Sequence, residues 1–399
     1  MRIFVCILFF VWGASITNAQ ITMDEVKQYF TEQSRLVKQA RKAKDYQKAE
    51  ELDYAMIKAV LSYPEEIRKK IDLIKGTLYY NIACYRSIRN DKKKAVEAFA
   101  KAVENGWTNY IHSSKDADLN NIREEKRFIE LMDKIRIEGD FQNILKQAAN
   151  YSAKADFLLP RFTYLPPNDS DLVRVRNYFN LDSIAGNGDE ISRIKNMLHW
   201  AHNVVRHDGR SMNPKSKNAI DLVEVCRKEN RGINCRMIAV MLNECYLAMG
   251  FKSRYVTCLP KKYVDDCHVI NIVYSNTLNK WILMDPTFNA YVMDEKGTML
   301  GIAEVRERLI SGAPLQINKD ANWNNKKRET KEHYLDYYMT KNLYRMECVL
   351  HSGYNTETQI EGKPAPFTVL LYPSSAPEIN DKQAGVTDNA EYFWQSPEK

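Results

Sequence analysis

The chain has 399 residues, 27% of them charged and 44% hydrophobic, with a net charge of +7 at neutral pH. That length is too great for one core and predicts two or three domains. The positive excess is modest and spread along the chain, which excludes the clustered basic stripe of a nucleic-acid-binding protein.

Residues 1–19 read as a signal peptide. Arg2 supplies a positive start, Ile3 to Trp12 is an apolar run too short to span a bilayer, and Thr17-Asn18-Ala19 before Gln20 is a small-residue cleavage site. Cys6 lies inside the apolar run and is not placed as a lipid acceptor. No later segment is apolar enough to cross a membrane, so an exported soluble protein, periplasmic or secreted, is expected. Of the eight cysteines, seven follow this segment. An odd number in an exported chain leaves at least one thiol unpaired, and seven are too few for a disulfide scaffold. Cys84, Cys245 and Cys348 sit at apolar positions and read as buried thiols.

Residues 20–137 read as helix throughout. Lys44-Asp45-Tyr46-Gln47-Lys48-Ala49 is a turn followed by a helix start, and Asn90-Asp91-Lys92-Lys93-Lys94-Ala95 repeats it. After the second copy Ala95, Phe99 and Ala102 share one face, and Tyr80, Ala83 and Cys84 supply the facing helix. The region resembles a tetratricopeptide repeat. The second copy matches well. The first matches poorly, with Asp53 and Met56 where Phe99 and Ala102 stand in the second. Asp116 to Arg123 and Arg127-Phe128 look like the segment that closes such repeats. An unrelated helical bundle is the plainer alternative. Either way the region carries no chemistry of its own and suits a protein partner or packing.

Pro160, Pro166 and Pro167 break the helical pattern within 138–168, which reads as a linker. Residues 169–315 read as an α+β catalytic domain with an antiparallel sheet, in the order helix, strand, strand, strand. Residues 316–399 read as an extension packing on that core: a polar loop from Asn318 to Lys331, a tyrosine-rich stretch from Tyr334 to Asn342, and a strand at Phe367 to Tyr372.

The chemistry concentrates at Cys235, His268 and Asp285. Gly232-Ile233-Asn234-Cys235-Arg236 runs from a turn into a helical pattern that Gly250 ends. Cys235 therefore falls in a first helical turn, where unpaired N–H groups and the positive dipole end favour a thiolate and could hold an oxyanion. Asn234 is a weaker candidate for a side-chain donor there. His268 opens an alternating run and suits the base; Asp285 closes the next such run and suits the group that fixes its tautomer. Ser275 to Asn279 is the expected hairpin turn, which would bring His268 and Asp285 side by side. Taken singly, Cys235 could be a buried thiol, His268 a satisfied core histidine and Asp285 a turn residue. Cys267 should point to the opposite strand face from His268 and read as core, and Trp281 should pack against the hairpin.

Residues from about 190 to 300 resemble the transglutaminase-like superfamily, a branch of the papain-like thiol enzymes. The resemblance rests on Asn234 to Ala239, Met249 to Val256, Cys267-His268-Val269, and Trp281 to Thr287. Val269 departs from the aromatic residue often found after the catalytic histidine. The resemblance implies a papain-like fold and catalytic roles for Cys235, His268 and Asp285, acting on an amide or peptide bond of a peptide or protein through an acyl-thioester. Hydrolysis by a peptidase or amidase is favoured over transamidation. A non-catalytic interaction module working through the helical repeat is the other reading, against which the intact triad argues. No cofactor is expected. Cys258, Cys267 and His268 lack the spacing of a structural zinc site, as do His199 and His202, and no loop of alternating carboxylates suits calcium.

Overall fold

The computed structural model describes residues 21–148, 150–152, 159–262, 267–373 and 384–397. The residues read as a signal peptide, with Cys6, lie outside these, as do parts of the linker and of the C-terminal segment. The chain divides into two compact units, Met1–Asp140 and Phe141–Lys399.

The first unit is helical: α1 (Met23–Lys42), α2 (Tyr46–Ser62), α3 (Glu65–Ile71), α4 (Ile74–Ile88), α5 (Lys92–Glu104), α6 (Tyr110–Lys115), a 3₁₀ turn at Ala117–Ile122, and α7 (Lys126–Gly139). Helices α2 and α5 begin alike. Lys44 and Asn90 hold φ of 57° and 61°, and the next residue, Asp45 or Asp91, caps the helix by accepting from the backbone N–H of Lys48 or Lys94. Ala83, Ala95, Phe99 and Ala102 are fully buried where α4 meets α5. A Cβ at Gly76 would stand 2.7 Å from the Asn105 carbonyl oxygen, so this close approach requires glycine. Asp53 and Met56 of α2 are buried as well.

The second unit opens with α8 (Phe141–Gln147), β1 (Thr163–Tyr164), α9 (Ser170–Phe179), α10 (Leu181–Ala185), α11 (Glu190–Val204) and α12 (Ala219–Glu229). Then come α13 (Cys235–Ala248), β2 (Ser253–Leu259), β3 (His268–Ser275) and β4 (Lys280–Met284). The remainder is β5 (Val292–Met293), α14 (Ile302–Ser311), β6 (Gln316–Ile317), β7 (Asn322–Trp323), β8 (Lys327–Arg328), a π-helical stretch at Glu332–Met339, α15 (Thr340–Asn342), β9 (Arg345–Val349), β10 (His351–Ser352), β11 (Thr368–Leu371), β12 (Ala384–Thr387) and α16 (Ala390–Phe393).

The architecture is α+β, with the central helix α13 packed on a mostly antiparallel sheet. Six strands run in the order β12-β11-β9-β2-β3-β4. All neighbours are antiparallel except the edge pair β11–β12, which is parallel. Residues 316–399 thus do more than cover a finished core, because β9, β11 and β12 form half of the sheet and β9 pairs directly with β2.

Helix α13 is buried from Met237 to Ala248, and its near-continuous apolar sequence suits a helix enclosed on all sides. It packs on the β3 face that carries Val269 and Val273, and Asn271 on that face donates to the Ala239 carbonyl at 2.9 Å. Ile270, Ile272, Val256 and Leu283 point the other way, into a second core closed by α14 and the π-helical stretch. Among the described residues no helix is long and apolar enough to cross a membrane.

Candidate active site

Three local devices fix where Cys235 stands. Asn234 has an extended backbone and caps α13, its side-chain oxygen accepting from the Met237 N–H at 3.1 Å. Its side-chain nitrogen donates to Asn213 at 2.7 Å. Both ends of the Asn234 amide thus help hold the turn, with one of its two N–H groups taken by Asn213. A short parallel bridge between His207 and Ile233 ties the residues before the helix to the chain that follows α11. Cys235 is the first helical residue and is half-buried, with its sulfur at the positive end of the helix.

His268 begins β3 and is 1% exposed; Asp285, directly after β4, is fully buried. The hairpin pairs Asn271 with Met284. Continuing that register one step sets Ile270 opposite Asp285, so His268 and Asp285 are diagonal neighbours on one face rather than directly opposed. The ring spans the diagonal: His268 Nε2 and Asp285 Oδ2 are 2.6 Å apart. Nε2 donates to the carboxylate, and the buried Nδ1, with no hydrogen-bond partner among the described residues, is left available to the Cys235 thiol.

Asp285 is held by more than the histidine. Its Oδ1 accepts the backbone N–H of Thr287 at 2.9 Å and of Phe288 at 3.3 Å. Its Oδ2 also accepts the Tyr334 hydroxyl at 2.8 Å. Tyr334 is buried in the π-helical stretch, a distortion frequent at functional sites. From the same stretch the Tyr338 ring lies 5.0 Å from the His268 ring, and Phe288 meets His268 edge-on at 5.6 Å. His202 of α11 is hydrogen-bonded through Nδ1 to the Pro286 carbonyl at 3.0 Å, which anchors the turn after Asp285.

The electrostatics follow from this packing. Burial would raise the Cys235 pKa, but hydrogen bonds from His207 and His268, the His268 charge and the Val269 backbone N–H outweigh it and bring the thiol to about 6. Burial would lower the His268 pKa, but the Asp285 charge and hydrogen bond, together with Cys235, raise it to about 10. Between these values the favoured pair is a thiolate facing an imidazolium, a nucleophile with its proton carrier alongside.

Among the described residues all seven cysteines are free thiols. Cys84, Cys245 and Cys348 are buried, and burial raises all three pKa values. Cys267 is half-buried against Leu259, Tyr344, Leu370 and Tyr372. Trp281 is buried in the hairpin, donates to the Gln395 carbonyl at 3.1 Å, and has the Arg254 guanidinium 4.5 Å from its ring. His199 is exposed and reaches Asn289 at 3.4 Å.

Sequence reasoning missed His202, His207 and Tyr334. The apolar face of α11 carried a signal for His202. Nothing local marked Tyr334, which lies 49 residues beyond its partner.

Residues 179–286 match the profile of the transglutaminase-like superfamily. The matched stretch contains Cys235, His268 and Asp285. No curated protein matches the chain. Among solved structures, a candidate cysteine protease from Cytophaga hutchinsonii aligns at 17% identity and a TM-score of 0.24. That alignment covers 40% of this chain and 57% of the other, so this chain spans little more than half the length of that protein.

Proposed function

We propose that this protein is an exported cysteine-dependent enzyme that cleaves amide or peptide bonds through an acyl-thioester at Cys235. The observation that carries the reading is the buried His268–Asp285 bond of 2.6 Å beside a thiol at the start of α13. The match of residues 179–286 to the transglutaminase-like profile supports the same class of chemistry.

In the acylation step the Cys235 thiolate attacks the carbonyl carbon. The C–S bond forms and the π pair moves to oxygen. As the oxyanion collapses, the C–N bond breaks and the amine leaves with the proton held by His268. Asp285 keeps the ring oriented and stabilises its charge. Water then attacks the thioester carbonyl, its proton passing to His268; the C–S bond breaks, the acid is released, and the thiolate facing an imidazolium is restored. Water is favoured as acceptor because it is always present, and an amine acceptor needs its own site.

Export rests on the amino-terminal sequence alone. The helical unit is assigned as tetratricopeptide-like, a surface for a protein partner; the shared turn and aspartate cap of α2 and α5 support internal repetition there.

The test uses mass spectrometry after exposure to an activated acyl ester. One acyl group on the Cys235 peptide, absent in Cys235→Ala and lost with time in water, is the expected result. No adduct on Cys235 would refute the reading. Persistence of the adduct in water, with rapid amide formation on adding a primary amine, would move the enzyme to the transamidases.

A further inference from the structure

A thiol acyl transfer needs a donor for the oxygen that becomes negative as the carbonyl is attacked. One donor follows from helix geometry: the N–H of Cys235 is in the first turn and has no intrahelical partner. The second would be a side chain near the sulfur; Asn234 is restrained by its cap and by Asn213, which fix its amide in the turn.

His207 also stands at that place. Its backbone runs beside the turn that leads into α13: the Asp208 N–H donates to the Ile233 carbonyl at 2.8 Å and the Ile233 N–H to the Arg206 carbonyl at 3.0 Å. Its side chain lies near enough to the Cys235 sulfur to help hold the thiol pKa down, as does that of His268. His207 is only half-buried, so a substrate can reach it.

The proton on its ring can be located. Trp323 Nε1 lies 3.0 Å from His207 Nδ1. An indole nitrogen can only donate, so Nδ1 accepts and carries no hydrogen, and the ring proton sits on Nε2. A histidine in this tautomer presents an N–H from Nε2 and cannot take a proton there. It suits a fixed donor and does not suit a second base.

A small hairpin enforces the arrangement. Trp323 ends β7, and Asn324 and Asn325 hold φ of 53° and 55° in the three-residue turn, Asn324 to Lys326, that leads to β8. That turn aims Asn324 back at His207. Its side-chain oxygen accepts the His207 N–H at 2.8 Å, and its nitrogen donates to the His207 carbonyl at 3.0 Å. One hairpin thus fixes both the backbone and the tautomer of His207.

We propose that His207 is a further catalytic residue, whose Nε2–H, oriented by Trp323 and Asn324, joins the Cys235 backbone N–H in holding the oxyanion of acyl transfer. The inference rests on the thiol-enzyme reading above and names a group within it. As the thiolate attacks, the charge that leaves sulfur appears on the carbonyl oxygen, and the His207 hydrogen bond passes from one to the other with no proton transferred.

Two reactions of Cys235 separate this role from others. Alkylation by iodoacetamide is displacement at a saturated carbon and forms no oxyanion; acylation by p-nitrophenyl acetate does. With the thiol fully ionised, His207→Ala should alkylate within about threefold of wild type while its acylation burst falls about 10²-fold, the cost of one oxyanion donor. His207→Gln, which supplies an amide N–H, should recover about tenfold of that loss. A parallel fall of both reactions, or a full burst in His207→Ala, would overturn the proposal.

Nitrogen-15 NMR of the histidine-labelled wild type covers the case of a variant that does not fold. It should show a protonated Nε2 and an unprotonated Nδ1 at His207, and a protonated Nδ1 would equally overturn the proposal. Cys235→Ala is the control for the parent reading: a burst that survives in it sinks the thiol enzyme itself.

Discussion

Tyr334 donates its hydroxyl to Oδ2 of Asp285, the same oxygen that accepts from His268. A carboxylate fully buried beside an imidazole needs every acceptor site filled, and this tyrosine supplies a donor no nearby residue provides. Tyr334→Phe removes that hydrogen bond and keeps the ring packed against Phe288. The expected cost is about 1–2 kcal/mol in denaturant unfolding, the value of one hydrogen bond to a charged group. Acyl transfer should slow several-fold as Asp285 loses part of its restraint. Unchanged stability and rate would show that the hydroxyl is dispensable.

Asn234 bears on both stability and position. Its cap of α13 is worth about 0.5–2 kcal/mol, so Asn234→Ala should lower stability by that amount. The same variant should slow acylation at Cys235, the adjacent residue, whereas Asn234→Ser retains a capping oxygen and most of the rate. Thermal unfolding together with acylation by the activated ester measures both. Equal rates in the two variants would contradict the link between cap and thiol.

Glu190 of α11 clamps the turn of the His268–Asp285 hairpin. Its carboxylate accepts from Ser275 Oγ at 2.7 Å and from the backbone N–H groups of Asn276 at 2.9 Å and Thr277 at 2.8 Å. Burial would raise its pKa, but these bonds outweigh it and lower the value to about 2. A depressed carboxyl contributes stability that is complete above its unfolded value, near 4.5, and is lost as the pH falls towards about 2. Glu190→Gln should therefore cost about 1 kcal/mol at neutral pH, discounted for solvent screening. The gap to wild type should close on acidification through that window. A gap that is constant with pH would rule out a role for the charge.

The sequence made some of these relations legible and hid others. Helix α13 could be placed because its signals are local: a turn at Gly232 to Asn234, an apolar run, and Gly250, which has φ of 84°, at its end. The hairpin was equally local, since two alternating runs flank Ser275 to Asn279. Strand β9 was hidden because Val256 pairs with Cys348, far along the chain, and alternation within one run does not name a distant partner. Tyr334 and His207 were hidden for a similar reason. A tyrosine-rich stretch does not reveal which hydroxyl reaches Asp285, and the tautomer of His207 depends on Trp323, 116 residues away. The diagonal meeting of His268 and Asp285 was a matter of register, which the length of the turn alone did not decide.

The central claim is that Cys235 is a thiolate held against an imidazolium at His268. The most direct measurement is the rate of iodoacetamide labelling of the Cys235 peptide as a function of pH, followed by mass spectrometry. Wild type should label with a midpoint near 6 and stay reactive up to about 10, the range set by the thiol and by His268. In His268→Ala the midpoint should move up towards about 8.5, the ordinary thiol value. A wild-type midpoint at or above that ordinary value, unmoved by His268→Ala, would contradict the account.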